Sequence, residues 1–72
     1  RAIMQFVKVA QLGKTVKEVS LDTDATVATA LEAAELRSAG FEVRLNGAPC
    51  AGTEKTRSGD IITLVPQIKG GH

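Results

Sequence analysis

Ile61-Ile62-Thr63-Leu64-Val65-Pro66-Gln67-Ile68-Lys69-Gly70-Gly71-His72 closes this 72-residue chain. Its first five residues form a β-branched-rich run that is apolar except at Thr63, the pattern of a strand buried in the middle of a sheet. Pro66 has no amide to give a neighbour, so it ends or edges that strand. Gly70-Gly71 has no packing role: glycine loses the most conformational freedom on ordering and brings no side chain to a core. Bare backbone at a flexible end suits a narrow active site on another protein, which can close around it. Gly71 then offers a carboxylate for a partner to activate. His72 follows the pair and blocks that carboxylate.

Working back from this strand, Ser58-Gly59-Asp60 reads as a turn and Gly52 to Arg57 as a polar loop. Ala48-Pro49-Cys50 fits a short edge strand, since Pro49 cannot serve a central ladder. Asn46-Gly47 is a strong tight-turn signal. Before it, Phe41-Glu42-Val43-Arg44-Leu45 alternates cleanly. The spacing predicts a helix over Thr26 to Leu36, with Val27, Ala30, Leu31, Ala34 and Leu36 on one face and Thr29, Glu32 and Glu35 mainly on the other. Asp24 or Thr26 supplies its N-cap, Gly40 its stop, and Arg37 a favourable charge near its negative end. Ile3 to Ala10 and Thr15 to Leu21 read as strands around a turn at Gln11-Leu12-Gly13-Lys14, which makes an opening hairpin. The order is β-β-α-β-β-β. One helix laid over one face of a mixed sheet buries so short a chain economically, with the first and last strands in the middle. No repeat, linker or low-complexity segment is seen.

Composition bounds the rest. At this size an idealised core is needed, and a hydrophobic fraction of 43% suffices for one. Phe6 and Phe41 are the only aromatics, and the net charge is +1 with no basic run. Base-stacking platforms and electrostatic capture of nucleic acid or anionic membrane are therefore not indicated. Cys50 stands alone, so no internal disulfide or cysteine-based metal cluster can form, which fits a reducing compartment. No apolar stretch approaches the roughly 20 residues of a membrane span, and no secretory signal pattern opens the chain. A single cytoplasmic domain over 1–66 with a flexible tail over 67–72 is the expectation. The chain starts at Arg1, not Met, so whether it is part of a longer one stays open.

The residues also carry a resemblance. The element order with its terminal Gly70-Gly71 resembles the ubiquitin-like β-grasp family, an α+β fold with a mixed four- to five-stranded sheet and one helix across one face. Met4-Gln5-Phe6-Val7-Lys8 and Leu12-Gly13-Lys14-Thr15 look like the opening hairpin of ubiquitin. Val43-Arg44-Leu45-Asn46-Gly47, Ser58-Gly59-Asp60 and the run from Ile62 to Gly71 look more like the bacterial sulfur carriers of molybdopterin and thiamine synthesis. The ending is especially similar to the small subunit of molybdopterin synthase. The resemblance spans nearly the whole chain.

It implies a carrier with no catalytic machinery and no bound cofactor of its own. An E1-like adenylyltransferase would spend ATP on the Gly71 carboxylate. Sulfur would then be loaded as a thiocarboxylate, for cofactor synthesis or tRNA thiolation, with a sulfurtransferase or sulfur-accepting synthase as partner. The alternative joins the activated carboxyl to lysines of target proteins. Sulfur carriage ranks first because the ending through Pro66 matches the sulfur carriers better. A non-conjugating β-grasp interaction module is the rival from a different class.

Around Gly71, glycine at 70 avoids a clash in a partner's channel. Ile68 and Pro66 offer apolar anchorage, and Lys69 stays solvated or meets a partner acid. His72 is open to three readings: part of an added tag, an extension removed by a tail-processing protease, or a native end. As a base or metal ligand it lacks a group to orient it. With Ile62 and Leu64 inward, Ile61, Thr63 and Val65 face outward and, with Arg44, make a modest docking patch beside the tail. Outward β-branched residues are also ordinary in strands. Cys50 has no histidine nearby to activate it and reads as a small, partly buried thiol. Asp22, Asp24, Glu32 and Glu35 read as a helix start and a solvated face, and no phosphate-loop pattern exists.

Overall fold

The computed structural model describes residues 4–67. Strands β1 (Gln5–Gln11) and β2 (Thr15–Leu21) precede the single helix α1 (Val27–Ala33). Strands β3 (Phe41–Leu45), β4 (Ala48–Pro49) and β5 (Ile61–Pro66) follow. The five strands form one sheet in the order β2-β1-β5-β3-β4. β1 and β5 run parallel, with Lys8 opposite Ile61 and Gln11 opposite Leu64. The other neighbours are antiparallel. The first and last strands are central, as their apolar character predicts, although β1 alternates between buried and exposed residues and is not a continuous apolar run. Pro49 sits on an edge strand, where a missing amide costs no ladder bond.

The core lies between the sheet and α1. Val7, Val9, Leu21, Ile62 and Leu64 of the sheet meet Val27, Ala30 and Leu31 of the helix, with Ala25 and Ala34 at its ends. Burying each large aliphatic side chain contributes about 1.5–3 kcal/mol. Two polar side chains go in with them. Gln5 Nε2 donates to the Asp22 carbonyl (2.7 Å) and Thr56 Oγ1 to the Ala25 carbonyl (3.1 Å), so neither is left unpartnered.

The helix departs from its expected limits of Thr26 to Leu36. It has seven residues, capped by Thr26, whose side chain accepts from the Thr29 amide. Two more first-turn amides are taken by the loop after β4: Val27 N donates to the Glu54 carbonyl (2.8 Å) and Ala28 N to that of Gly52 (3.0 Å). A segment expected to be plain polar loop thus closes the helix N-terminus. The stop comes five residues before Gly40. Glu35 turns left-handed (φ 60), Glu35 N donates to the Glu32 carbonyl, and Leu36 N to that of Leu31. This is the Schellman arrangement, with glutamate where glycine is usual. Leu36 packs back onto the core. Arg37 is exposed and no basic residue occupies the last helical turn. Lys17 of β2 takes the expected role instead, its Nζ donating to the Ala34 carbonyl at 2.9 Å.

The remaining differences are small. β1 runs on to Gln11 rather than stopping at Ala10; Ile3 lies outside the described residues. In β2, Val16 faces solvent opposite Ala10, while Val19 and Leu21 turn toward the core. Among the described residues, no helix is long and apolar enough to cross a membrane.

Candidate functional site

β5 is the strand from which the site is built. It is bonded on both sides, and its alternation puts Ile62 and Leu64 fully inside while Ile61 is 46% exposed and Thr63 and Val65 are half-buried on the outer face. The register brings specific neighbours to each. Ile61 lies beside Lys8 of β1, Thr63 between Ala10 of β1 and Arg44 of β3, and Val65 beside Glu42. Just past β1, Leu12 donates its amide to the Leu64 carbonyl (3.0 Å) and leaves a 57% exposed side chain next to this row. Ile61, Thr63, Val65 and Arg44 are therefore brought together on one face, as their alternation predicts.

Leu12, Ala10 and Lys8 were not anticipated there. Leu12 reads as a turn residue, and only the parallel pairing with β1 reveals it beside β5. For Lys8 and Ala10 a signal existed, since they alternate with the buried Val7 and Val9.

One pair of opposite charges lies on this face. Arg44 Nη2 meets Glu42 Oε1 at 3.3 Å, with both side chains well exposed. A pair so open to water contributes at most about 1 kcal/mol. Arg44 Nε is shielded without an acceptor among the described residues. The guanidinium is thus only partly satisfied among the described residues.

Both ends of β5 are pinned. At its start, Asn46 adopts φ 53 and Gly47 φ 89, the two left-handed residues of a type I′ hairpin turn. Asn46 Nδ2 donates to Asp60 Oδ1 (3.0 Å) and its Oδ1 accepts from the Ile61 amide (2.9 Å). Asn46 N donates to the Ile61 carbonyl at 2.8 Å. Asp60 Oδ2 in turn accepts from the Arg57 amide at 2.7 Å. Two turn motifs that look independent in the sequence are one hydrogen-bonded clasp. At the far end, Pro66 pairs with Phe41, and Gln67 N donates to the Gly40 carbonyl at 3.0 Å. Pro66 is exposed. Ile68, Lys69, Gly70, Gly71 and His72 lie outside the described residues.

The other candidates stay apart from this face. Cys50 packs partly against the core, and burial, then the nearby Glu54 carboxylate, pushes its thiol pKa up. A raised thiol pKa is the reverse of nucleophile activation. Among the described residues no cluster of three or more His, Cys, Asp or Glu side chains is placed to hold a metal ion.

No protein-family model and no curated sequence matches the chain. Solved structures do. The crystal structure of SAMP1 from Haloferax volcanii superposes with a TM-score of 0.76 at 26% identity, covering 92% of this chain and 99% of that one. Another crystal structure of the H. volcanii small archaeal modifier protein 1 gives a TM-score of 0.74 at 25% identity, covering 89% and 99%. The ubiquitin of Caldiarchaeum subterraneum gives 0.67 at 19% identity, covering 96% and 100%, a likeness that speaks for the fold alone. One helix on a five-stranded mixed sheet, matched to these neighbours, is the ubiquitin-like β-grasp fold. The two likenesses at 25% and above support a small ubiquitin-like carrier or modifier.

Proposed function

We propose that this ubiquitin-like β-grasp chain is a carrier that partner enzymes act upon, with the Gly71 carboxylate as its reacting group. An E1-like enzyme uses ATP to adenylate that carboxylate once residue 72 is removed, and sulfur is then loaded as a thiocarboxylate for delivery to an acceptor. The observation that carries this reading is the course of β5. A central strand, held on both sides and at both ends, leads past Pro66 directly into the sequence that carries Gly70-Gly71. The fold then acts as a handle: Ile61, Thr63, Val65, Arg44 and Leu12 give the partner something rigid to grip beside the tail. Pro66 and Ile68 anchor its base by apolar contact, and Lys69 and Gly70 enter the partner's channel. Complementary, preformed surfaces of this kind bind without a large ordering cost.

The test is direct. Chain ending at Gly71 is mixed with the cognate activating enzyme and ATP, then analysed by mass spectrometry. An adenylate, followed by a thiocarboxylate when a sulfur donor is present, is expected; no adduct with any activating enzyme of the source organism would overturn the reading.

The second reading, conjugation to lysines of target proteins, is favoured by the likeness to small archaeal modifier protein 1. The same reaction separates the two. Sulfur incorporation at Gly71 marks the first; an amide bond between Gly71 and a lysine amine of a second protein marks the other.

A further inference from the structure

We propose that Asn46 is a latent deamidation site, which the folded domain protects through the clasp between the β3–β4 turn and the start of β5. The chemistry needs only the chain and water. The Gly47 backbone nitrogen, losing its proton to solvent, attacks Cγ of Asn46; the C–N bond of the side-chain amide breaks and ammonia leaves. Water then opens the resulting succinimide ring to aspartate or isoaspartate at position 46. No oxidant or reductant is required. Asn46-Gly47 favours the attack because glycine puts no side chain in the way of its own nitrogen.

The fold opposes it. Attack requires the Asn46 side chain and backbone to rotate so that Cγ meets the Gly47 nitrogen. The hairpin turn fixes the backbone at φ 53 and 89. The side chain is held at both ends, Nδ2 on Asp60 Oδ1 and Oδ1 on the Ile61 amide. Asn46 itself is exposed, so water has access and its protection is conformational. Molecules in which the clasp has opened are the ones that react.

The aspartate product cannot re-form the clasp's bond to Asp60. Conversion to aspartate replaces the Nδ2 donor by a carboxylate oxygen facing Asp60 Oδ1 at hydrogen-bond distance, and like charges so placed repel. The isoaspartate form also adds a backbone methylene inside a tight turn. One opening event followed by deamidation thus leaves a permanently looser β5. The site records time spent open.

The experiment has two parts. The intact protein and the same protein in denaturant are incubated side by side at neutral pH, and amide-to-acid conversion at Asn46 is followed by peptide mass mapping. Conversion is expected at least about tenfold more slowly in the folded protein, since reaction proceeds only from locally opened molecules. Equal rates would overturn the proposal. Asn46→Asp is then expected to lower Tm by about 5 °C or more, and adding Asp60→Asn to it should restore most of the loss, because the amide donor is returned from the other side. An unchanged Tm in the single variant, or no recovery in the double, would refute the clasp. If Asn46→Asp does not fold, recovery of folding in the double variant still decides the matter.

Discussion

Glu35 is the most costly residue conformation among the described residues. It holds φ 60 without being glycine, and an L-residue there is worse off by about 1–2 kcal/mol than in the ordinary regions. Glu35→Gly relieves that strain but frees the unfolded chain, so a net gain of about 0.5–1 kcal/mol is expected. Chemical denaturation would show it as a higher midpoint with an unchanged slope; a lower midpoint would mean the glutamate side chain contributes something unseen. Local sequence hid this position. Ala33, Ala34, Glu35 and Leu36 are all helix formers, and what stops the helix is tertiary: Lys17 on the Ala34 carbonyl and Leu36 returning to the core. Cys50 carries the residue-scale pH prediction. Its raised pKa means that alkylation at neutral pH runs slower than for a free thiol of similar access and accelerates only on the alkaline side of the usual thiol range. The sign for stability follows. The folded chain keeps the proton where the unfolded chain would release it, so the contribution is present below the ordinary thiol pKa and is lost as pH rises through the folded one.

At the scale of the element, β5 divides its work by parity. Leu64→Ala removes a fully buried side chain and is expected to cost about 2–5 kcal/mol. Leu12→Asp, just past β1 and beside the outer row of β5, should leave thermal unfolding nearly unchanged but, under the proposed function, weaken capture by the activating enzyme about tenfold or more. If both variants lower stability alike, the outer row is structural rather than a docking face. Alternation in 41–45 was enough to assign its faces from sequence, because a strand has a side-chain period of two; in the largely apolar 61–65 that period groups the residues into two faces without saying which is inside. It could not show which strands lie side by side. Leu12 came into view only through the parallel β1–β5 register, and the helix cap from Gly52 and Glu54 uses carbonyls, which every residue has and no composition reveals.

For the whole molecule, one core is shared by the helix and the two central strands, and the loop after β4 is tied to the helix start. Among the described residues, no part has a separate interior. Unfolding is therefore expected as a single transition, with far-UV circular dichroism and hydrogen exchange of Val9 and Leu64 amides reporting the same free energy; separate midpoints would contradict it. The parallel pairing of β1 with β5 has a mechanical side. Because these strands run the same way, the start of β1 and the end of β5 lie at opposite ends of the sheet. Tension between them loads the whole ladder in shear, with its hydrogen bonds strained together rather than opened one at a time. A machine pulling on the C-terminal end would also have to drag β5 out from between β1 and β3. The strand that leads toward the proposed reacting end is, by the same placement, one that force does not easily extract.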